Sequence, residues 1–235
     1  MNLRAKTILE AAVKEFIRSG EPVSSKELSV KYDFGLKAAS VRNELGKLTK
    51  DGFLAQLHTS GGRVPTDKGY QFFVEHTLDN VIDAKKILTD RQNLLTANLR
   101  RGQLRDFVEE FSDEVKLLGV GKKEKEREVY KSGLRDLFEQ GDFGTKEEMS
   151  EIVRDFELLD QRLDAMRTRL FKGLRTPQVF IGKQSPITKS SNLSVIADSY
   201  DLGNDKVLIA VIGPKRMDYD KILKLFKSFR NQLED

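Results

Sequence analysis

The chain opens with three amphipathic segments in close succession. Leu3 to Ser19 has apolar residues at helical spacing and is followed by Gly20, which predicts a helix that ends there. Ser24-Ser25-Lys26-Glu27 has the Ser-x-x-Glu form of a capping box and predicts a second, shorter helix. A third helix is predicted from about Lys37 to Lys50, because its apolar residues share one face and Asp51-Gly52 is a usual helix end.

A hairpin pattern comes directly after the third helix. Residues 53–57 are predicted to form a strand, residues 59–62 a turn, and Arg63-Val64 the beginning of the return strand. Thr66 stands where it can cap a further helix that runs to about Leu78. Three helices followed by a small hairpin predict a winged helix-turn-helix over residues 1–78.

The polar side chains of this predicted unit are suited to nucleic acid. A helix-turn-helix lays one helix in the major groove, where Asn can bond adenine and Arg or Lys can bond guanine or a phosphate. The outward positions of the third helix are Lys37, Ala39, Ser40, Arg42, Asn43 and Lys47. The hairpin tip combines glycines, hydroxyls and a cation, which suits contact with the backbone or the minor groove. Its candidate residues are His58, Thr59, Ser60, Gly61, Gly62 and Arg63.

Charge supports this interpretation only mildly. The formal net charge is +4, from 41 basic and 37 acidic residues. Residues 37–68 contain six basic and three acidic side chains, so the excess is concentrated where DNA contacts are predicted. A three-helix core whose cations are merely solvated explains the helix pattern about equally well.

The middle of the chain, from Asn80 to about Arg175, has an almost wholly helical and strongly charged pattern. One apolar stripe in it is predicted to join two copies, because the first unit uses its apolar faces for its own core. Its members are Leu104, Val108, Phe111, Val115 and Leu118. A second stripe, from Ile152 to Met166, is predicted either to pack on the following sheet or to join copies.

Two further segments of this region are interpreted from their composition. Gly119 to Lys123 and the charge run Lys122 to Arg127 are predicted to be a linker or a solvated helix face. A capping box at Thr145 predicts a long helix that turns Met149 and Val153 inward.

The last third of the chain changes character. Residues 179–181, 193–197 and 207–212 are predicted to be strands separated by polar turns, and a helix follows Asp218. The fold class expected is α+β, with a small antiparallel sheet that carries helices. The predicted domains are residues 1–78 for DNA binding, 79–130 as a helical linker or dimerisation region, and 131–235 for regulation and dimerisation.

Several kinds of site are not expected. The chain has no cysteine, so disulfides, thiolate nucleophiles and Cys-based zinc sites are excluded. Neither His58 nor His76 has a partner at metal-ligand spacing, and acidic pairs such as Glu109-Glu110 lie in amphipathic patterns without a convergent pocket. No cofactor, metal or catalytic activity is therefore expected. The longest apolar run, Val207–Ile212, is too short to cross a bilayer, so a cytoplasmic location is expected.

Two separate motifs resemble those of the HrcA family of bacterial heat-inducible transcription repressors. They are Val41–Leu45 with the long run His58–Tyr70 near one end, and Gly213–Tyr219 near the other. The resemblance implies repression of chaperone operons by a homodimer that binds an inverted-repeat operator, a GAF-like second domain, and modulation by a GroEL-type chaperonin. The family's chains are longer, so this chain is expected to have only part of the GAF-like domain and to lack the dimerisation insert. Lys37 stands where the family has a capping Ser or Thr.

Two other functions remain open from the residues alone. A winged helix can repress a different set of genes, or it can be a module that contacts protein or RNA and not DNA.

Overall fold

The computed structural model describes residues 1–57, 61–81, 90–141, 143–172, 176–203 and 205–234. The chain divides into two units. The first comprises Met1–Asp79 with Arg216–Asp218, and the second comprises Asn80–Lys215 with Tyr219–Asp235.

The first unit begins with the three helices that the sequence predicts. They are α1 (Leu3–Ser19), α2 (Ser25–Lys31) and α3 (Ala38–Lys50), and α4 (Asp67–Val81) follows the hairpin. α1 ends because Gly20 adopts a left-handed φ of 72° and donates its N–H to Phe16. α2 begins at the predicted box, where the Ser24 side chain accepts from the N–H of Glu27.

A small antiparallel sheet follows α3. Strand β1 (Leu54–Ala55) pairs with β2 (Val64–Pro65), and an isolated bridge adds Val23 beside Arg63. The bridge consists of two backbone hydrogen bonds between Val23 and Arg63, of 2.9 and 2.8 Å. Gly62 lies so close to the preceding loop that a Cβ on it would come 2.4 Å from the Pro22 carbonyl oxygen. The glycine is therefore required for the return strand to lie against residues 22–23.

The second unit is built on a five-stranded antiparallel sheet with the strand order β4-β3-β7-β6-β5. Its strands are β3 (Leu118–Lys123), β4 (Val129–Ser132), β5 (Gln178–Ile181), β6 (Leu193–Asp201) and β7 (Lys206–Pro214). The three strands predicted from the last third of the chain are present as β5, β6 and β7. The α+β class is confirmed.

Helices cover both faces of this sheet. On one face lie α5 (Asp90–Arg100), α6 (Leu104–Val115) and α11 (Tyr219–Glu234). Phenylalanines of α6 and α11 meet there edge to face, such as Phe107 and Phe229, whose ring centroids are 5.4 Å apart. On the other face lie α7 (Leu134–Gln140), α8 (Lys146–Glu157), α9 (Leu159–Ala165) and α10 (Arg167–Lys172). Side chains point to alternate faces along each strand and so supply a core on each side of the sheet. Val195 and Ala197, for example, belong to the core on the α7–α10 side.

The prediction that residues 80–175 are almost wholly helical is wrong for two segments, β3 (Leu118–Lys123) and β4 (Val129–Ser132). Gly119–Lys123, predicted to be a linker, belongs to β3, a strand with a neighbour on each side. Lys122, predicted to be solvated, is buried, and its Nζ donates to the carbonyl oxygens of Glu126 and Arg127. Residues 79–130 are therefore not a helical linker, because β3 is part of the sheet of the second unit.

The long helix predicted after Thr145 also differs from the structure. The capping box is present between Thr145 and Glu148, but the helical region is divided into α8, α9 and α10. Met149 and Val153, predicted to face inward, are 46% and 45% exposed. Ile152 and Asp155 occupy the buried side of α8 instead.

The stripe predicted to join two copies needs correction too. Within a single chain Leu104, Val108, Phe111 and Leu118 are buried, and Val115 is half-buried. Leu118 lies in β3 and the other four lie on α6, which packs on β3 and on the phenylalanines of α11. The five residues do not form one surface, because Leu118 belongs to the core on the α7–α10 side of the sheet. Their buried members are used inside the second unit and do not form an exposed dimer contact.

Candidate nucleic-acid interface

The polar side of α3 is exposed along its length. Its apolar residues Val41, Leu45 and Leu48 are buried against the rest of the first unit. The helical repeat then places the remaining positions outward. The exposed residues include all six that the sequence predicts, Lys37, Ala39, Ser40, Arg42, Asn43 and Lys47.

Most of these side chains are available to a ligand. In the described part of the chain, the side chains of Lys37, Ser40, Arg42 and Asn43 have no hydrogen-bond or ion-pair partner. Lys47 differs, because its Nζ lies 2.8 Å from Oε1 of Glu44 on the same helix. α3 therefore presents two cations and two neutral hydrogen-bonding groups to solvent.

The hairpin contributes the remaining predicted residues. Gly61, Gly62 and Arg63 are half-buried, and His58, Thr59 and Ser60 lie outside the described residues. The Arg63 guanidinium is already engaged, because its Nε donates to Oγ1 of Thr49 at 3.1 Å and Nη1 donates to the Gly61 carbonyl at 3.2 Å. These bonds hold the hairpin against the C-terminal half of α3.

A cavity of about 210 Å³ lies between the start of α2, α3 and the hairpin. It brings Arg42 and Arg63 to the same concavity as the hydroxyl-bearing Ser24 and Ser25. The other lining residues are Val23, Leu45, Gln56, Gly61 and Gly62. Two guanidinium groups beside hydroxyl groups suit a phosphate oxygen. Ser24 and Ser25 were not among the predicted contacts, although their position at a helix start is a signal for anion contact.

Other classes of site have no support in the described ranges. No group of three or more His, Cys, Asp or Glu in them could hold a metal ion. None of the helices described there combines the length and apolar character needed to cross a bilayer.

Comparison with known proteins identifies the family. The model described as "HrcA protein C terminal domain" matches residues 47–223, about three quarters of the chain. The chain belongs to the HrcA family. The resemblance of the two terminal motifs to that family is therefore confirmed.

Relatives agree with this assignment. The "Heat-inducible transcription repressor HrcA" of Lachnoclostridium phytofermentans is 23% identical, with 99% of this chain and 96% of that protein covered. The protein with the same name from Roseiflexus castenholzii is 51% identical over 76 residues, which are 32% of this chain and 21% of that protein. A crystal structure described as that of a hypothetical protein has a TM-score of 0.75 at 18% identity and covers 99% of this chain and 97% of that one. Because the sequence identity is only 18%, this structural similarity is evidence for the fold alone.

This HrcA-family chain is shorter than its Lachnoclostridium relative. Their alignment extends over 332 residues, whereas the chain has 235. The relative therefore contains segments that have no counterpart here.

A buried carboxylate joins α1 to α2 in this HrcA-family chain. Glu15 is buried and lies 2.6 Å from Nη2 of Arg18 and 2.5 Å from Nζ of Lys31, and it accepts a 3.0 Å hydrogen bond from Tyr32. The Arg18 hydrogen bond is the largest cause that lowers the pKa of Glu15 from 4.5 to about 2, with Lys31 and Tyr32 adding to it. The carboxylate therefore fixes how α2 lies against α1.

Replacing Glu15 by Gln is expected to lower the stability of the first unit in a pH-dependent way. The native pKa of about 2 lies below the unfolded value of 4.5, so the charge stabilises the fold above pH 4.5 and loses this effect as the pH falls toward 2. Thermal unfolding of both proteins between pH 7 and pH 2 should show a difference in Tm that is largest above pH 4.5 and shrinks toward pH 2. A difference that does not change with pH would contradict this role for the charge.

Proposed function

We propose that this chain is a transcription repressor of heat-shock genes whose residues 1–78 form a winged helix-turn-helix. The observation that carries the proposal is the outward side of α3, where Lys37, Ser40, Arg42 and Asn43 are exposed and have no partner in the described part of the chain. The names of the curated relatives, all "Heat-inducible transcription repressor HrcA", support the class of genes.

The side chains suggest a division of roles on DNA. Asn43 and Ser40 are neutral and short, which suits contact with base edges in the major groove. Arg42, Lys47 and Arg63 suit phosphates, and the cavity between α2, α3 and the hairpin offers a place for one phosphate. The hairpin residues His58, Thr59 and Ser60, with Ala39 and Lys37 on α3, complete the proposed contact surface.

Binding as a homodimer follows from the proposed operator. An inverted repeat presents two equivalent half-sites about 10–10.5 bp apart, or a multiple of that, so two copies of α3 must be held at that spacing. We assign this task to the second unit. We propose that this unit is a partial GAF-like domain, which also has a regulatory role. A GroEL-type chaperonin is the proposed regulatory partner, and this rests on the family resemblance alone.

The proposal is tested with DNA from the same genome. A duplex that contains the inverted repeat upstream of a chaperone operon is compared with a scrambled duplex by gel shift and footprinting at one fixed salt concentration. Preference for the repeat, with protection of both half-sites, is the expected result. Binding to a repeat upstream of unrelated genes would indicate another regulon, and absence of binding to any duplex would support a module that contacts protein or RNA.

Replacing Asn43 by Ala is expected to relax sequence preference. One base-pair position of the operator should lose about 1–3 kcal/mol of discrimination, while binding to random DNA stays near the wild-type value. Arg42→Ala should instead weaken all duplexes alike and reduce the slope of log K against log salt by about one. Titrations at several salt concentrations measure both effects.

Arg135→Ala is the matched control, because Arg135 is an exposed cation of the second unit. It should leave both the preference and the salt slope unchanged. Equal loss of affinity for operator and random DNA in Asn43→Ala would overturn the assignment of Asn43 to base contact.

A further inference from the structure

Helix α3 contains a glycine that the packing of the chain does not explain. Gly46 lies in the interior of the helix, where glycine is less favourable than alanine because it loses more backbone freedom on folding. A Cβ on Gly46 would meet no atom of the described residues within 4 Å, and its φ is not in the left-handed region. Neither crowding nor backbone conformation therefore requires a glycine at this position.

Gly69 on α4, the other glycine within the described α-helices, provides the contrast. A Cβ on Gly69 would lie 2.2 Å from the carbonyl oxygen of Phe53, so the fold itself excludes a side chain there. Gly46 has no such contact in the described part of the chain. A glycine that the fold does not need is typical of places where a ligand comes close to the protein backbone.

Gly46 lies on the side of α3 that faces solvent. By the helical repeat it stands about 130° around the axis from the centre of the buried side. Arg42, Asn43 and Lys50 lie within about 60° of Gly46, and all three are exposed. None of the three side chains has a partner among the described residues. A ligand held by these side chains must therefore pass directly over Gly46.

We propose that operator DNA comes closest to the backbone of α3 at Gly46, so that α3 lies along the major groove as far as Lys50. This geometry rests on the proposed function and extends its contact surface past Lys47 to the end of the helix. Asn43 has a short side chain, so it reaches a base edge only if α3 lies deep in the groove.

The dimensions of the groove show why a side chain at this position matters. An α-helix with its side chains is about 10–12 Å across, and the major groove is about 12 Å wide. How deeply the helix enters therefore depends on the size of the side chains that face the bases. A residue larger than Gly46 would hold Asn43 away from the base edges.

Stability and DNA binding are expected to change in opposite directions when Gly46 is replaced. Gly46→Ala should raise the Tm of the first unit by about 4–8 °C, and Gly46→Leu should not lower it, because both residues favour a helix. Affinity for the operator should fall about 3–10-fold in Gly46→Ala and about 100-fold in Gly46→Leu, since the larger side chain clashes more. Thermal unfolding by circular dichroism and fluorescence-anisotropy titration of the full chain measure the two effects.

Two matched variants serve as controls. Gly69→Ala makes the same chemical change in the other helix and should lower the Tm, because its Cβ meets the Phe53 carbonyl. Thr7→Leu places an apolar side chain at an exposed position of α1 and should leave operator affinity unchanged. A loss of affinity in Gly46→Leu that Thr7→Leu shares would be a general effect of an exposed leucine, and it would overturn the close approach.

Lys50→Ala tests how far the contact extends along α3. The variant should reduce the slope of log K against log salt by about one, because Lys50 then neutralises one phosphate fewer. Arg135→Ala is again the control. An unchanged slope in Lys50→Ala would contradict a contact that reaches the end of the helix.

The outcomes separate this geometry from the proposed function. If the wild type prefers the operator and Gly46→Leu binds it with unchanged affinity, the close approach at Gly46 is wrong and the repressor proposal stands. If the wild type binds no duplex, the repressor proposal fails and the close approach fails with it. A Gly46→Leu protein that is at least as stable as the wild type but has lost operator affinity supports both.

Discussion

Replacing Asp155 by Ala should destabilise the second unit by about 3–5 kcal/mol, because it removes one partner of a buried ion pair and leaves other groups unsatisfied. The Asp155 carboxylate is buried on α8 and accepts hydrogen bonds from the backbone N–H groups of Lys189 and Ser190, at 2.8 to 2.9 Å. It also binds the Arg162 guanidinium, which in turn donates to the carbonyl oxygen of Ile187 at 3.1 Å. One side chain therefore joins α8, α9 and the loop between β5 and β6.

Two controls isolate this effect. Asp155→Asn keeps the shape and one acceptor oxygen but removes the charge. Its loss of stability should therefore be smaller than that of Asp155→Ala. Asp160→Ala removes a carboxylate from the neighbouring helix, where it is 51% exposed and pairs with Lys131, and should cost about 1 kcal/mol or less. Urea unfolding of the three variants measures the differences, and an Asp155→Ala loss no larger than that of Asp160→Ala would contradict the role assigned to the buried carboxylate.

The outward side of α3 was predictable because a helix leaves little freedom. Once Val41, Leu45 and Leu48 are known to point inward, the 3.6-residue repeat fixes which positions point outward. Ser24 and Ser25 were missed because their local pattern marks only the start of α2. It does not show that they share a cavity with Arg42 and Arg63, which come together with them through the bridge between Val23 and Arg63.

Strand β3 was not predicted because two of its residues are glycines and two are lysines, residue types that are rare in strands. The glycines are explained by α6. A Cβ on Gly121 would lie 2.5 Å from Cγ2 of Val108, and one on Gly119 would lie 3.2 Å from the Val108 carbonyl oxygen. Glycine in a strand often marks such a close approach, so Gly119 and Gly121 were a usable signal that pointed to a strand under a helix.

The error at Met149 and Val153 has a different cause. The capping box correctly predicts where α8 begins. Met149, Ile152, Val153 and Phe156 follow one another at three- and four-residue spacing, so they form one broad apolar stripe. Ile152, at one edge of this stripe, is buried, whereas Met149 and Val153, at the other edge, stay exposed, and the spacing alone does not reveal this difference.

Replacing Gly133 by Ala is the second change for which a large loss of stability is expected. Gly133 precedes α7 with a φ of 88°, in the left-handed region that a residue with a Cβ enters at a cost of about 1–2 kcal/mol. A Cβ there would also come 1.9 Å from Oγ of Ser112 and 2.3 Å from the Leu117 carbonyl oxygen. These two atoms form a buried 2.7 Å hydrogen bond. Room for the methyl group can therefore be made only by breaking this hydrogen bond and shifting the backbone.

A second glycine allows the cost of the backbone conformation to be separated from the cost of the steric clash. Gly102 has a φ of 72°, and a Cβ on it would meet nothing within 4 Å, so Gly102→Ala carries the cost of the backbone conformation alone. Gly133→Ala should lose that amount and about 1–3 kcal/mol more for overpacking, with a further loss for the broken Ser112 bond. Denaturant unfolding of the two variants measures the difference in the free energy of unfolding. Similar losses for both would mean that the segment before α7 moves aside at little cost, and the close packing of α6, β3 and α7 around Ser112 would not be a source of stability.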